Sequence, residues 1–208
     1  EKSCACTTCH VVVRDGFGGV DGLDLVQSLL VSPGGRFVYG AGLADDAIAI
    51  FDRDTATGEP TFLDPAKNGA GGITGLDGVR GLAMTPDGIF LFASSYNDDA
   101  VAIFRRDGLS GLLSELQVAR NGIAGFAGLD GARAIAVSPD GGDLYALGEL
   151  GDSVAVLTRV GQASCGASGA SDIADTVGMT VGGSVSYTVL GTVDSAATGQ
   201  LINTVTLT

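Results

Sequence analysis

A unit of 53 residues recurs three times along this 208-residue chain. The turn Ser32-Pro33-Gly34-Gly35 returns as Thr85-Pro86-Asp87-Gly88 and again as Ser138-Pro139-Asp140-Gly141. Gly22-Leu23-Asp24 returns as Gly75-Leu76-Asp77 and Gly128-Leu129-Asp130. Ala47-Ile48-Ala49-Ile50-Phe51 returns as Ala100-Val101-Ala102-Ile103-Phe104 and Ser153-Val154-Ala155-Val156-Leu157. A fixed period of this size means one supersecondary unit repeated, each copy burying its apolar face on the next. Three copies are too few to close a ring, so the array has two open ends.

Each copy reads as four short strands. In the second, Gly78 to Met84 runs into Thr85-Pro86-Asp87-Gly88, where Pro presets φ and Gly takes the fourth place of a type I turn. Ile89 to Ala93 follows, then the polar turn Asn97-Asp98-Asp99. Ala100 to Phe104 is wholly apolar, as a central strand buried on both faces must be. Leu113 to Ala119 is the fourth strand. Glycine is abundant, with 34 residues, but it recurs at fixed repeat positions and so marks turns. No stretch sustains a helical apolar period. The expectation is an all-β fold of three propeller-like four-stranded blades.

Ser138-Pro139-Asp140-Gly141 with Leu144-Tyr145-Ala146, and Asp99-Ala100-Val101-Ala102-Ile103-Phe104, resemble the YVTN or lactonase-like propeller repeats over about residues 8–160. That resemblance implies the blade, not a chemistry, since such folds include enzymes and binding scaffolds. Register places residues 4–15 on the outer strand of the first copy, so 1–16 reads as a spare outer strand. The third copy keeps register to Arg159 and lacks an outer strand. The domains expected are therefore 1–160, the repeats, and 161–208, where the pattern changes. There, Val181 to Val189 with Ala197 to Thr204 looks like the second half of an Ig-like repeat of bacterial surface proteins. About 48 residues are too few for a whole sandwich, so an incomplete Ig-like β-segment is expected.

The chain has 24 acidic and 11 basic residues, a net charge of −13, which repels nucleic acid. No run is long and apolar enough for a membrane span. The Ser/Thr/Gly/Ala-rich composition suits an extracellular or cell-surface protein.

Cys4, Cys6, Cys9, Cys165 and His10 are the soft ligands. Cys6-Thr7-Thr8-Cys9-His10 fits the CxxCH rule for haem c attachment, with His10 axial and the sixth position left to Met84, Met179, a second chain or no ligand. The strand register argues against it, because it sends Cys6 and Cys9 to opposite faces. Zinc on Cys4, Cys6, Cys9 and His10 fits worse, as four ligands within seven residues do not readily form a tetrahedron. The structural alternative is a disulfide from Cys165 to Cys4 or Cys6.

Asp45-Asp46 and Asp98-Asp99 could ligate calcium, but turn capping is the simpler role. Asp24, Asp77 and Asp130 suit backbone bonds between blades, and Arg53, Arg106 and Arg159 suit ion pairs with nearby Asp residues. No catalytic set, metal centre or cofactor site stands out. The spare strand and the empty strand site are complementary open edges. Unaided, the sequence therefore favours a non-enzymatic structural protein, a self-associating filament subunit built by strand exchange. A mono-haem electron-transfer protein and a fragment of a lactonase-like enzyme or ligand-binding module are the alternatives.

Overall fold

The computed structural model describes residues 11–158. They lie in the first of two compact units, Glu1–Arg159, the second being Val160–Thr208. The first blade contains β1 (Val26–Val31), β2 (Phe37–Gly42), β3 (Ala47–Arg53) and β4 (Pro60–Lys67). The second contains β5 (Val79–Met84), β6 (Phe90–Ser95), β7 (Ala100–Arg106) and β8 (Leu113–Arg120). The third contains β9 (Ala132–Val137), β10 (Asp143–Gly148) and β11 (Ser153–Thr158). Each sheet is an antiparallel meander in chain order, two four-stranded and one three-stranded. The stretch in which the third copy would carry or lack an outer strand lies outside the described residues.

The repeated turns close as their residues dictate. Gly35, Gly88 and Gly141 donate their N–H groups to the carbonyls of Ser32, Thr85 and Ser138 at 2.7, 2.8 and 2.9 Å. All three glycines have φ between 71° and 75°, which a side chain would resist. The hydroxyls of Ser32, Thr85 and Ser138 accept the N–H of the next strand's first residues, Phe37, Phe90 and Asp143.

The inner strands β1, β5 and β9 lie side by side, with β2 and β6 behind them. The sheets therefore converge along one edge, as blades do. Between blades one and two, Tyr39, Ile48 and Ile50 meet Leu76, Val79 and Phe104 in one core. Between blades two and three, Phe92 and Val101 meet Leu129, Ala132 and Leu144. Leu76 and Leu129 are 0% exposed, and each burial of that size is worth about 1.5–3 kcal/mol. Gly111 is a close-approach glycine: Phe37 of blade one packs on its Cα, and Tyr39 Oη donates to its carbonyl at 2.9 Å.

The N-terminal expectation is corrected in its described part. Residues 11–16 join no sheet; Phe17 N–H donates to Arg14 O, and Gly16 N–H to Val20 O. A fourth strand needs a third to pair with, and none is present beside it among the described residues. Val13 packs instead on Val20, Ala49 and Phe51. The Ig-like segment at 161–208 lies outside the described residues.

Candidate functional site

The starts of β1, β5 and β9 and the ends of β2, β6 and β10 share one end of the blades. At that end the repeat puts two positions side by side in each copy. The first is Gln27, Arg80 and Arg133; the second is Leu43, Tyr96 and Glu149. Each copy joins them differently. Gln27 turns back to the carbonyl of Leu25 at 2.9 Å. The Arg80 guanidinium lies over the Tyr96 ring, 4.3 Å from its centroid. Arg133 Nη1 donates to Glu149 Oε2 at 2.8 Å.

Arg80 is the residue out of balance. Its Nε is buried and has no hydrogen-bond partner. A buried donor left unmet costs about 1–3 kcal/mol, more when charged. Tyr96 holds the guanidinium by cation–π attraction without using any N–H. Arg133 and Glu149 are 54% and 42% exposed, so their ion pair is weak and free to rearrange. In a chain of net charge −13, Arg80 and Arg133 are groups that could pair with an anion.

The acidic repeats around this rung serve the fold. Asp45 Oδ2 accepts the N–H groups of Gly22 and Asp24, and Asp98 Oδ2 accepts that of Asp77. They tie the loop after the second strand to the loop before the first. Lys67 and Arg120, equivalent residues, balance them, with Arg120 Nη1 2.5 Å from Asp98 and Lys67 Nζ 3.9 Å from Asp45. Carboxylate oxygens of Asp15, Asp21 and Asp45 gather within 4.8 Å of one another. Each already has a donor: Leu23 N–H on Asp15, Lys67 at 3.3 Å on Asp21, and the N–H groups of Gly22 and Asp24 on Asp45.

Two sequence readings change. The aspartates that accept backbone N–H groups across the blade joints are Asp46, from Gly78, and Asp99, from Gly131, rather than Asp24, Asp77 and Asp130. Asp77 instead accepts from Asn97 Nδ2 within its own blade. Arg53 and Arg106 donate hydrogen bonds to the turn carbonyls of Gly35 and Gly88, and each also helps to lower the carboxyl pKa of its neighbour, Asp54 or Asp107. Cys4, Cys6, Cys9, His10 and Cys165, with Arg159 and Met179, lie outside the described residues, and Met84 packs against the core between blades one and two. None of the residues singled out above falls in the arginine rung. Its signal was a polar side chain recurring at one place in strands otherwise small and apolar.

Residues 25–124 match the family model "Lactonase, 7-bladed beta-propeller". Over that span the first two blades resemble those of the family. A 6-phosphogluconolactonase of Pectobacterium carotovorum is 29% identical over 165 residues, covering 77% of this chain and 47% of that protein. The chain thus spans about half the length of the curated relatives it matches. Among solved structures, the periplasmic gluconolactonase of Pseudomonas aeruginosa superposes with a TM-score of 0.55 at 24% identity, over 66% of this chain and 36% of that one. A protein of unknown function from Desulfotomaculum acetoxidans gives 0.52 at 20% identity, over 66% and 40%. Separately, a 2Fe-2S ferredoxin of Pseudomonas aeruginosa is 36% identical over 56 residues, 24% of this chain and 50% of that protein.

These likenesses overturn the structural reading. The expectation of a non-enzymatic filament subunit assembled by strand exchange fails, because the curated relatives sharing these blades are named as lactonases. Three open-ended blades do not by themselves imply a fibre, since the match spans 47% of the curated relative.

Proposed function

We propose that this chain supplies three blades of a lactonase-like propeller that binds and hydrolyses an anionic sugar lactone at the rung of Gln27, Arg80 and Arg133. The observation that carries the reading is Arg80, a guanidinium braced on Tyr96 with a buried, unmet Nε–H. In a ring, the inner-strand starts face the central channel, where a ligand meets groups from several blades.

Lactone hydrolysis adds water to the ester carbonyl carbon. The carbonyl electrons move to oxygen, and the tetrahedral adduct collapses with the ring oxygen leaving as a hydroxyl. Donors aimed at that oxyanion are the largest aid available. Arg80 supplies them in this reading, and Arg133 pairs with the phosphate or carboxylate of the sugar acid. Glu149, released from Arg133 by that anion, accepts the proton of the attacking water and returns it to the departing ring oxygen. The test is acid release from 6-phosphogluconolactone in a pH-stat. The expected result is a rate above spontaneous opening that falls about 10²–10³-fold in Arg80→Ala and is partly kept in Arg80→Lys. A rate indifferent to both variants contradicts the reading.

A second reading concerns the spacing of the N-terminal cysteines, in a chain that has a 2Fe-2S ferredoxin among its relatives. Cys6 and Cys9 have the C-x2-C spacing that forms part of plant-type iron–sulfur runs. On this reading these thiols hold iron and sulfide rather than haem. Iron and acid-labile sulfide in anaerobically purified protein, both lost in Cys6→Ser, support it; metal-free protein contradicts it.

A further inference from the structure

In blades one and two, equivalent aspartates clasp the blade that follows. Asp46, at φ 51°, accepts the Gly78 N–H on Oδ1 at 2.7 Å; Asp99, at φ 50°, accepts the Gly131 N–H on Oδ1 at 2.7 Å. The left-handed backbone is one that Asp tolerates better than most residues. Asp152 is the third copy, with φ 46°. No described residue donates to its carboxylate, which borders an open groove of about 640 Å³ with Leu147, Ser153 and Val154.

The side chains beside it repeat a covered face. Tyr39, Ala41 and Ile48 are 0% exposed, and Phe92, Ser94 and Val101 are at most 3% exposed. Their third copies, Tyr145, Leu147 and Val154, are 41%, 46% and 61% exposed. Blade three therefore presents the backbone conformation, the acceptor and the apolar column of the two filled interfaces, with no covering blade among the described residues.

We infer that Asp152 is the docking acceptor for a further blade of this 53-residue repeat, taking a backbone N–H of its leading loop while its inner strands cover Tyr145, Leu147 and Val154. The inference rests on the propeller reading above. The occupant is a blade because this face continues, repeat by repeat, two interfaces that each hold one.

The test lengthens the full chain by inserting a second copy of residues 106–158 directly after Thr158. The insert supplies an outer strand for blade three, a leading loop and three more strands. Hydrogen exchange reads each amide. The copied Gly131 amide is expected to be protected, and Asp152→Gly, which keeps the left-handed conformation but removes the acceptor, to speed its exchange about tenfold relative to other amides of the insert. Asp152→Asn, which retains Oδ1, restores protection, and Asp46→Gly read at Gly78 sets the scale. Protected inserted strands with a copied Gly131 amide indifferent to Asp152→Gly overturn the clasp and leave the propeller reading intact. An insert that stays unprotected, with Tyr145 still exposed, overturns both.

Discussion

Tyr39 joins two blades through a single hydroxyl. It is wholly buried, and its Oη donates to Gly111 O. Burial pushes the phenol up to about 12, against an opposing pull from Arg106. A folded-state pKa above the ordinary value of 10 means that the folded protein holds a proton the unfolded chain releases. The stabilisation is therefore whole below pH 10 and is lost as pH rises from 10 towards 12. Tyr39→Phe should cost about 1 kcal/mol at neutral pH and flatten that alkaline decline. Urea unfolding of both proteins at pH 7 and at pH 11 measures each effect. An equally steep alkaline decline in the variant assigns it to another group. Ser94 is a second test at this scale, since its Oγ donates to Arg133 O across the next interface at 2.9 Å and accepts Gly81 N–H at 3.1 Å. Ser94→Ala should lower stability by about 1–3 kcal/mol, with faster exchange at the Gly81 amide.

Strands and turns were the most legible level. Pro33, Pro86 and Pro139 with Gly35, Gly88 and Gly141 announce the turns, and the apolar run at 100–104 announces a central strand; β7 follows that reading to within two residues. Register across copies also placed the three described strands of the third sheet; the stretch where a fourth would run lies outside the described residues. Register failed for residues 11–16, because likeness to β4 says nothing about whether a partner strand is there to pair with. The joints between blades were legible only in part. Leu76 and Leu129 sit in the repeated triplet, but which carboxylate crosses the gap depends on left-handed backbone at Asp46 and Asp99, which no pattern of hydrophobicity reports. Leu76→Ala and Leu129→Ala empty equivalent sites in the two interfaces. Each should cost about 2–5 kcal/mol, with amide protection falling most in the two blades that share the altered joint. Loss confined to one blade contradicts the paired-interface account.

At the scale of the whole molecule, the sequence alone led towards a fibre because open edges were visible and the arginine rung was not. The rung is a property of three residues brought level by the 53-residue period, and only its packing reveals that Arg80 has a donor to spare. Surface charge hides it further, since a net charge of −13 suggests avoidance of anions. The most direct test of the central claim is ¹⁵N NMR of the arginine Nε–H groups during titration with 6-phosphogluconate, the acid that lactone opening would leave. The account predicts saturable shifts at Arg80 and Arg133 that weaken with added salt, are smaller with gluconate, and vanish at Arg133 in Arg80→Ala. Arginine signals that stay unmoved through millimolar ligand, in a chain whose strands remain protected, would contradict it.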